Sequence, residues 1–210
     1  IHGRWRREAL GGADPGWMSI WRGAWPGTEN PFMLTVFQLG GMGARAIKDG
    51  LNTTGFPSGV AGVPAEVIET LAPLIQHRRE LRTDSGGAGA QRGGLGQATE
   101  LSYRGDGRWS VSAMIDRTRF AAQGFDGGQP GAPGGFYAND LGTLAPKTVV
   151  WFAPGSRVHL DPPGGGGYGP PLAREPERVL ADVVSGYVSI EAAAREYDVV
   201  IHYTGTPAQL

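Results

Sequence analysis

The segment Thr83-Asp84-Ser85-Gly86-Gly87-Ala88-Gly89-Ala90-Gln91-Arg92-Gly93-Gly94-Leu95-Gly96 contains six glycines among its fourteen residues. Glycine in the interior of a helix or strand costs about 0.5–1 kcal/mol, so this composition predicts neither element. Glycine is favoured where φ is positive or where a second backbone approaches closely. We therefore predict a shaped loop over residues 83–96, and not a flexible linker, which would contain more serine.

Three side chains of the 83–96 loop are candidate site residues. Asp84 and Ser85 could be a nucleophile and its partner, although the Gly-x-Ser-x-Gly elbow is absent. Turn capping, in which both side chains accept hydrogen bonds from nearby backbone N–H groups, is the favoured interpretation. Arg92 could bind a carboxylate or phosphate through two hydrogen bonds. Alternatively, Arg92 could form an ion pair with Asp84 that closes the loop, and this second interpretation is favoured.

Three other glycine-rich loops lie at residues 40–45, 125–134 and 162–171. Successive glycine N–H groups can bind an anion. For residues 164–167, close packing of one backbone on another is favoured, because no lysine or helix start is adjacent. The 40–45 loop lacks the lysine and Ser/Thr of a phosphate-binding loop and precedes no amphipathic helix. The sequence therefore predicts no cofactor bound by this chain.

Composition restricts the classes of function. The chain has 210 residues, with 36 glycines, 16 prolines and a net charge of −1, which gives no electrostatic reason to bind nucleic acid or an anionic membrane. The absence of cysteine excludes disulfides and thiolate chemistry and fits a cytoplasmic protein. The four histidines do not have metal-ligand spacing, so no metal site is predicted.

Neither a membrane span nor a signal peptide is predicted from the sequence. A membrane-spanning helix needs about 20 apolar residues, and no apolar run approaches that length. The first residue is Ile1 and not Met. We therefore expect a fragment, a processed product or a separate subunit.

Hydrophobic periodicity predicts strands over residues 32–39, 74–81, 100–103, 109–116, 148–152, 157–160 and 199–203, and helices over 64–73, 176–186 and 189–197. The turn signals Asp106-Gly107 and Pro154-Gly155 predict two hairpins from the strands that flank them. Alternation in 109–116 predicts one buried face. We predict an α+β fold with strand-rich mixed sheets, long Gly/Pro-rich loops and two C-terminal helices.

Residues 1–31 contain Trp5, Trp17, Trp21 and Trp25 among several Gly and Pro turn signals. This pattern predicts an irregular segment whose indole rings pack on a larger body. The alternative is an aromatic wall for a ligand or a subunit interface, because tryptophan is enriched at interface hot spots. Residues 1–31 are treated as one segment and residues 32–210 as the main body.

The order of these motifs resembles the hydantoinase B/oxoprolinase family. The 83–96 loop, with Asp84-Ser85-Gly86-Gly87 and Arg92-Gly93-Gly94-Leu95-Gly96, is similar to the family signature. Residues 50–69, with Gly55-Phe56-Pro57-Ser58 and Pro64-Ala65-Glu66-Val67-Ile68-Glu69, resemble the segment before it. Residues 125–134 resemble its Gly-Gly-x-Pro-Gly-x-Pro-Gly loop. Residues 163–197 are similar to its C-terminal end.

The resemblance covers residues 32–203, with departures at Pro170, Asp198 and Ala90-Gln91. It implies the C-terminal part of a B-type subunit in a cytoplasmic, ATP-dependent complex acting on cyclic amides or ketones. In such complexes an A-type subunit carries ATP and Mg²⁺ and phosphorylates a carbonyl oxygen of a small-molecule substrate. The B-type subunit then completes the reaction. The family's divalent metal is expected in the N-terminal part of the B-type subunit, outside this chain.

The resemblance leaves three interpretations of function open. The first is part of a cyclic-amide hydrolase of the hydantoinase, oxoprolinase or lactamase type. The second is a subunit of an acetone or acetophenone carboxylase, and the third is a non-catalytic scaffold module of such a complex. The expected partners are the A-type subunit and the N-terminal part of the B-type subunit, in a hetero-oligomer. We expect the isolated chain to be inactive.

Overall fold

The computed structural model describes residues 11–12, 16–55 and 59–202, and within them two β-sheets, three α-helices and one 3₁₀ turn are present. The strands are β1 Trp17–Ala24, β2 Pro31–Gln38, β3 Leu74–Leu81, β4 Gln97–Tyr103, β5 Trp109–Met114, β6 Gly135–Ala138, β7 Gly142–Thr143, β8 Thr148–Phe152 and β9 Arg157–Asp161. The helices are α1 Ala65–Leu71, α2 Pro176–Val184 and α3 Ile190–Tyr197, and the 3₁₀ turn is Pro171–Ala173. The α+β prediction is confirmed.

The two sheets pack on a shared hydrophobic core. The strand order is β2-β1-β5-β8 in one sheet and β3-β4-β9-β6-β7 in the other, and the paired strands are antiparallel rather than mixed. Trp109 stacks near Trp21, with ring centroids 5.5 Å apart, and lies 6.0 Å from Tyr103 of the opposite sheet. Each buried aromatic ring of this kind contributes about 1.5–3 kcal/mol.

The prediction of an irregular segment over residues 1–31 is wrong for Trp17–Ala24. These residues form β1, an inner strand of the four-stranded sheet. Trp17 and Trp21 are fully buried in the core, so the packing interpretation is confirmed for these two rings. Trp5 lies outside the described residues.

Both predicted hairpins are wrong. β4 pairs with β3 and β9, whereas β5 pairs with β1 and β8. The turn at Asp106-Gly107 therefore carries the chain from one sheet to the other, and Pro154-Gly155 does the same between β8 and β9. A turn signal predicts a chain reversal but not whether the flanking strands pair. The predicted buried face of β5 is confirmed, because Trp109, Val111 and Ala113 point into the core.

Several other elements follow their predictions. β3 spans the predicted residues, and α2 and α3 lie within the two predicted C-terminal helices. Ser189 caps α3, because its Oγ accepts a hydrogen bond from the Ala192 N–H at 3.0 Å. The predicted strand 199–203 is wrong for residues 199–202, which form no strand, and Tyr203 lies outside the described residues. β2 buries alternate residues, because successive side chains of a strand point to opposite faces and one face of this sheet packs on the core.

None of the helices in the described ranges has the length and apolar character that a membrane crossing requires. The longest of them, α2, has 9 residues. A transmembrane helix needs about 20 apolar residues.

The glycine-rich segments pack on one another as extended backbone; we call them the glycine bundle (residues 11–12, 40–54, 85–96, 121–134 and 162–169). At its centre lie residues 164–167. Their N–H groups donate at 2.9–3.1 Å to four carbonyls in three other segments of the bundle: Ala132, Gly94, Gly12 and Gln129. Backbones that exchange hydrogen bonds at this distance leave no room for side chains between them, so only glycine fits where they touch.

Glycine is required in the bundle for space. A methyl group added at Gly164 would overlap the Ser85 carbonyl, and one added at Gly41 would overlap the Gly94 carbonyl. Neither position has a positive φ, so the close approach of a second backbone is what demands glycine. The packing interpretation of residues 164–167 is confirmed. The anion-binding alternative is wrong, because these N–H groups already donate to carbonyl oxygens.

Candidate functional site

Ser85 is held inside the glycine bundle by two hydrogen bonds. Its hydroxyl donates to the Arg82 carbonyl and accepts a hydrogen bond from the Gly96 N–H at 2.9 Å. The residue is 1% exposed. The proton and a lone pair of the hydroxyl are thus both in use, and the interaction joins the start of the 83–96 loop to its end. This geometry fits the capping interpretation of Ser85.

Asp84 connects the 83–96 loop to the C-terminal helices. Its backbone has φ of 60°, and its Oδ1 accepts a hydrogen bond from the Ser189 N–H at 2.7 Å. The Asp84 N–H donates to the Tyr187 carbonyl at 3.1 Å, and Thr83 Oγ1 donates to the Gly186 carbonyl at 2.8 Å. Asp84 therefore caps a backbone N–H as expected, but the donor is 105 residues away and not in the same turn.

Arg92 pairs with Asp182 of α2. Its Nε lies 3.3 Å from an Asp182 carboxylate oxygen, its Nη1 donates to the Gly93 carbonyl at 2.6 Å, and its guanidinium lies 5.0 Å from the centre of the Tyr187 ring. The predicted ion pair between Arg92 and Asp84 is wrong. The Arg92 side chain contacts Asp182 of α2, whereas the Asp84 carboxylate accepts the Ser189 N–H at the start of α3. With its side chain 4% exposed, the guanidinium is not presented to solvent.

Arg92 belongs to a partly buried ion cluster centred on Asp49. The Asp49 carboxylate receives both Nη atoms of Arg174 at 2.9 Å, an Nη of Arg178 at 2.9 Å and the Arg92 N–H at 2.7 Å. Arg174 also donates to Asp182 at 2.7 Å. We call Asp49, Arg92, Arg174, Arg178 and Asp182 the Asp49 cluster. It joins the glycine bundle to the 3₁₀ turn and α2.

The charges of the Asp49 cluster are mutually stabilising. Burial by itself would raise the pKa of Asp49, but the hydrogen bond and charge of Arg174 and the Arg92 N–H outweigh it, so the pKa is lowered. Burial would lower the pKa of Arg174, and the same bonds to Asp49 raise it instead. Next to the cluster, burial raises the pKa of the Tyr197 hydroxyl to about 12. Tyr197 is therefore a neutral phenol at physiological pH.

The space next to the 83–96 loop is too small for a substrate. A cavity of about 90 Å³ lies between the loop and α3, and Asp84, Gly86, Ala192 and Tyr197 are among its walls. Water occupies about 30 Å³ per molecule in the liquid, so about three waters would fit. Binding sites for small organic ligands measure roughly 300–1,000 Å³. The geometry around the three candidate residues is thus that of a rigid junction.

A second polar cluster lies on the outer face of the five-stranded sheet. Glu100, His159 and Tyr137 are directly opposite one another on β4, β9 and β6. The His159 ring stacks on Tyr137 with centroids 4.5 Å apart, and Glu100 accepts a hydrogen bond from Arg157 at 2.6 Å. Burial would raise the pKa of Glu100, but Arg157 and His159 outweigh it and lower the pKa. These are cross-strand pairs on an open sheet surface.

The histidines make ordinary polar contacts on the sheet. His77 Nε2 is 2.8 Å from Ser102 Oγ, and His159 stacks on Tyr137. In the described ranges, no group of three or more His, Asp or Glu side chains is arranged to hold a metal ion.

Sequence reasoning missed the residues that organise this junction. Asp49, Arg174 and Asp182 are separated by 125 and 8 residues along the chain, so no local spacing relates them. In the sequence, Asp49 has the surroundings of a surface turn, Lys48-Asp49-Gly50, and Arg174 has those of a loop residue. The acidic and basic residues of α2 are a weak sign of ion pairing in the sequence. Their number does not identify the residues with which they pair.

The fold of this chain is similar to parts of two solved enzyme structures. The fold matches a nucleotide-free structure of acetone carboxylase with a TM-score of 0.80 at 23% identity, covering 96% of this chain and 32% of that one. It matches the ATP-dependent caprolactamase from Pseudomonas jessenii with a TM-score of 0.78 at 31% identity, covering 95% of this chain and 37% of that one.

The sequence comparisons agree with the structural ones. The B-type subunit of a putative D-/L-hydantoinase from Pseudomonas sp. strain NS671 is 38% identical over 180 residues, which are 82% of this chain and 30% of that protein. The beta subunit of the caprolactamase from Pseudomonas jessenii is 36% identical over 189 residues, which cover 82% of this chain and 32% of that protein. This chain thus spans about a third of the length of these relatives.

The family model for hydantoinase B/oxoprolinase matches residues 7–171. The chain therefore belongs to the hydantoinase B/oxoprolinase family, and the resemblance seen in the sequence is confirmed. The match begins before residue 32, so it includes β1 and most of the tryptophan-rich segment. Of the motifs that carry the resemblance, Phe56-Pro57-Ser58 lies outside the described residues.

Proposed function

We propose that this chain is the C-terminal part of the B-type subunit of an ATP-dependent cyclic-amide hydrolase. The observation that carries the proposal is its 38% identity to the B-type subunit of a putative hydantoinase and 36% identity to the beta subunit of a caprolactamase. Identity to the acetone carboxylase alpha subunit of Xanthobacter autotrophicus is lower, at 28%. The comparison therefore favours amide hydrolysis over ketone carboxylation.

The proposed reaction has two steps on two subunits. An A-type partner, carrying ATP and Mg²⁺, phosphorylates the carbonyl oxygen of the cyclic amide. On the B-type subunit, water adds to the activated carbon, the ring C–N bond breaks with its nitrogen taking up a proton, and a second water releases inorganic phosphate from the resulting acyl phosphate. A divalent metal held by the part of the subunit outside this chain would polarise the attacking water. An imidate phosphate is far more reactive than its parent amide, so it must be kept from bulk water between the steps. We place this complex in the cytoplasm.

Within that complex, we assign this chain a framework role. Ser85 and Arg92 are buried and bonded to backbone or to Asp182, and Asp84 receives the Ser189 N–H. A glycine bundle whose amides are satisfied by other backbone segments offers little freedom of movement. Catalytic groups must be held to within a fraction of an ångström, and a rigid support of this kind supplies that precision. No catalytic residue is assigned to the chain.

The test is turnover by the native complex that contains this chain. Hydantoin, 5-oxoproline and caprolactam are offered with ATP, and acetone is offered with ATP in the presence and absence of bicarbonate. We expect ATP-dependent ring opening that does not require bicarbonate. Consumption of acetone that requires bicarbonate, with no ring opening, would show a carboxylase instead.

A second experiment measures turnover by the isolated chain. We expect neither ATP hydrolysis nor amide hydrolysis from it, because the proposed nucleotide and metal sites are on other polypeptide segments. Turnover by the purified chain alone would contradict the assignment to a framework role.

A further inference from the structure

The outer face of the four-stranded sheet is apolar. Strand register places three rows of side chains on it, and seven of the eleven are large and hydrophobic. The rows are Phe37–Met18–Met114, Thr35–Ile20–Ser112–Val149 and Met33–Arg22–Ser110–Trp151. Met33 is 68% exposed, Trp151 57% and Met114 55%. We call these eleven residues the outer apolar face.

The other sheet provides an internal comparison. Its outer face carries polar and charged side chains, among them Glu100, Ser102, Tyr137, Arg157, His159 and Asp161. Antiparallel sheets with one face in water usually have this alternation of apolar and polar residues. The four-stranded sheet departs from it, because both of its faces are apolar. Large contiguous apolar patches on a protein surface mark interaction sites.

Two open grooves cross the outer apolar face. One, of about 680 Å³, is lined by Met18, Met114 and Val149 together with Asp116 and Lys147 at its rim. The other, of about 730 Å³, is lined by Met33 and Trp151 and by two cations, Arg22 and Arg108. No Asp or Glu from the described residues lines this second groove. A partner seated there would place apolar side chains along the sheet and a carboxylate over the two arginines.

We propose that the outer apolar face is the surface on which the rest of the B-type polypeptide docks. This inference rests on the proposed function, since it takes the chain to be one part of such a subunit. The chain spans 30% and 32% of two relatives and 32% and 37% of two solved chains. About two thirds of each related polypeptide therefore has to pack somewhere. The apolar sheet face, with Arg22 and Arg108 beside it and the Arg108 guanidinium 5.5 Å from the centre of the Trp151 ring, is the described surface suited to bury it.

Methionine oxidation reports on this surface directly. Three of the four methionines, Met18, Met33 and Met114, lie on the outer apolar face. The fourth, Met42, is 7% exposed within the glycine bundle and is the internal control. Exposed thioethers are oxidised to sulfoxides far faster than buried ones. The isolated chain and the complete B-type subunit are treated with hydrogen peroxide, and the sulfoxide at each position is followed by peptide mass spectrometry.

In the isolated chain, Met33 and Met114 are expected to oxidise quickly and Met42 slowly. In the complete subunit, the rates at Met33 and Met114 are expected to fall by at least about tenfold, with Met42 unchanged. If Met33 and Met114 each oxidise as fast in the complete, active subunit as in the isolated chain, the docking surface is overturned. The proposed function stands in that case. Protection that grows with concentration in the isolated chain would overturn the docking surface in favour of a second copy.

Substitution gives an independent measure of the same contact. Met114→Asp places a charge on the outer apolar face, and Val184→Asp places one on a comparably exposed apolar residue, 61% against 55%, at the end of α2. Each substitution is made in the complete B-type subunit, and the oxidation rate of Met33 is measured as before. We expect Met114→Asp to raise that rate by at least about tenfold, because the docked segment is displaced, and Val184→Asp to change it by less than about threefold. Equal rates in the two variants would overturn the docking surface, and absence of ATP-dependent ring opening in the unmodified complex would overturn the proposed function as well.

Discussion

Asp49 and Arg174 lie 125 residues apart in the sequence, yet each oxygen of the Asp49 carboxylate is 2.9 Å from an Nη atom of Arg174. Two parallel N–H···O bonds make such a pair specific in geometry as well as strong. The same carboxylate receives the Arg92 N–H from the 83–96 loop. Three distant parts of the chain are thus fixed to one another at a single side chain.

Removing the charge of Asp49 tests how much the Asp49 cluster contributes to the free energy of unfolding. In Asp49→Asn, the buried Arg174 keeps Asp182 but loses its two-point partner. We expect the free energy of unfolding to fall by about 2–3 kcal/mol, measured by urea denaturation. The control is Asp116→Asn, which breaks an exposed pair with Lys147 at 2.7 Å and should cost less than about 1 kcal/mol. Equal losses in the two variants would show that the Asp49 cluster adds no special stability.

The glycine bundle predicts a sharp difference between two glycine substitutions. In Gly164→Ala, the added methyl overlaps the Ser85 carbonyl, and we expect a loss of about 3 kcal/mol or an insoluble chain. In Gly107→Ala, the nearest atom to the methyl is the Tyr103 hydroxyl at 4.0 Å and φ is not positive, so the change should be within about 0.5 kcal/mol. Urea midpoints measure both. Indistinguishable midpoints would contradict the tight packing.

Because the pKa of Tyr197 is raised in the folded chain, we expect the chain to lose stability at alkaline pH. The pKa of Tyr197 is about 12 in the folded chain against 10.0 for an ordinary tyrosine, so above pH 10 the unfolded chain loses the proton more readily. The stabilisation is complete below pH 10 and is lost as the pH rises toward 12. Between pH 9 and pH 11 we expect Tyr197 to account for about 1 kcal/mol of lost stability.

Tyr197→Phe separates this effect from those of the other tyrosines. Burial also raises the pKa of Tyr103 and Tyr137, and both remain in the variant. The wild-type curve of unfolding free energy against pH should therefore fall more steeply than the variant curve above pH 9. Parallel curves would show that Tyr197 ionises in the folded chain as it does in the unfolded one.

Ser85→Ala distinguishes a structural hydroxyl from a nucleophile. The substitution removes the bonds to the Arg82 carbonyl and the Gly96 N–H at a buried position, so we expect a stability loss of about 1–3 kcal/mol. Turnover per folded complex should stay within about twofold of wild type. A drop in turnover of about 100-fold or more, with stability unchanged, would instead identify Ser85 as a reacting group.

Local patterns in the sequence were sufficient for many of the elements but not for their partners. The helices predicted over residues 176–186 and 189–197 depend on neighbours in sequence, and α2 and α3 lie within these bounds. The turns at Asp106-Gly107 and Pro154-Gly155 were recognised, but each joins strands of different sheets. Which strand pairs with which is decided by the shared core, and a turn carries no information about it.

β1 was missed for a related physical reason. A half-exposed strand is recognised by apolar residues alternating with polar ones, but β1 has Met18 and Ile20 on its outer face and Trp17 and Trp21 on its inner face. The Asp49 cluster was missed because its members meet only in the folded chain. The three candidates Asp84, Ser85 and Arg92 lie in the 83–96 loop, but their partners, Ser189, Gly96 and Asp182, were not foreseen.

The glycine bundle has a consequence for how enzymes of this fold can diverge. A position such as Gly164, where a methyl group would overlap the Ser85–Gly86 peptide group, tolerates no side chain. Variation within this fold is therefore confined to other positions, on surfaces where volume and charge are free to change. The segment that is easiest to recognise in the sequence is the one whose composition is dictated by steric contact.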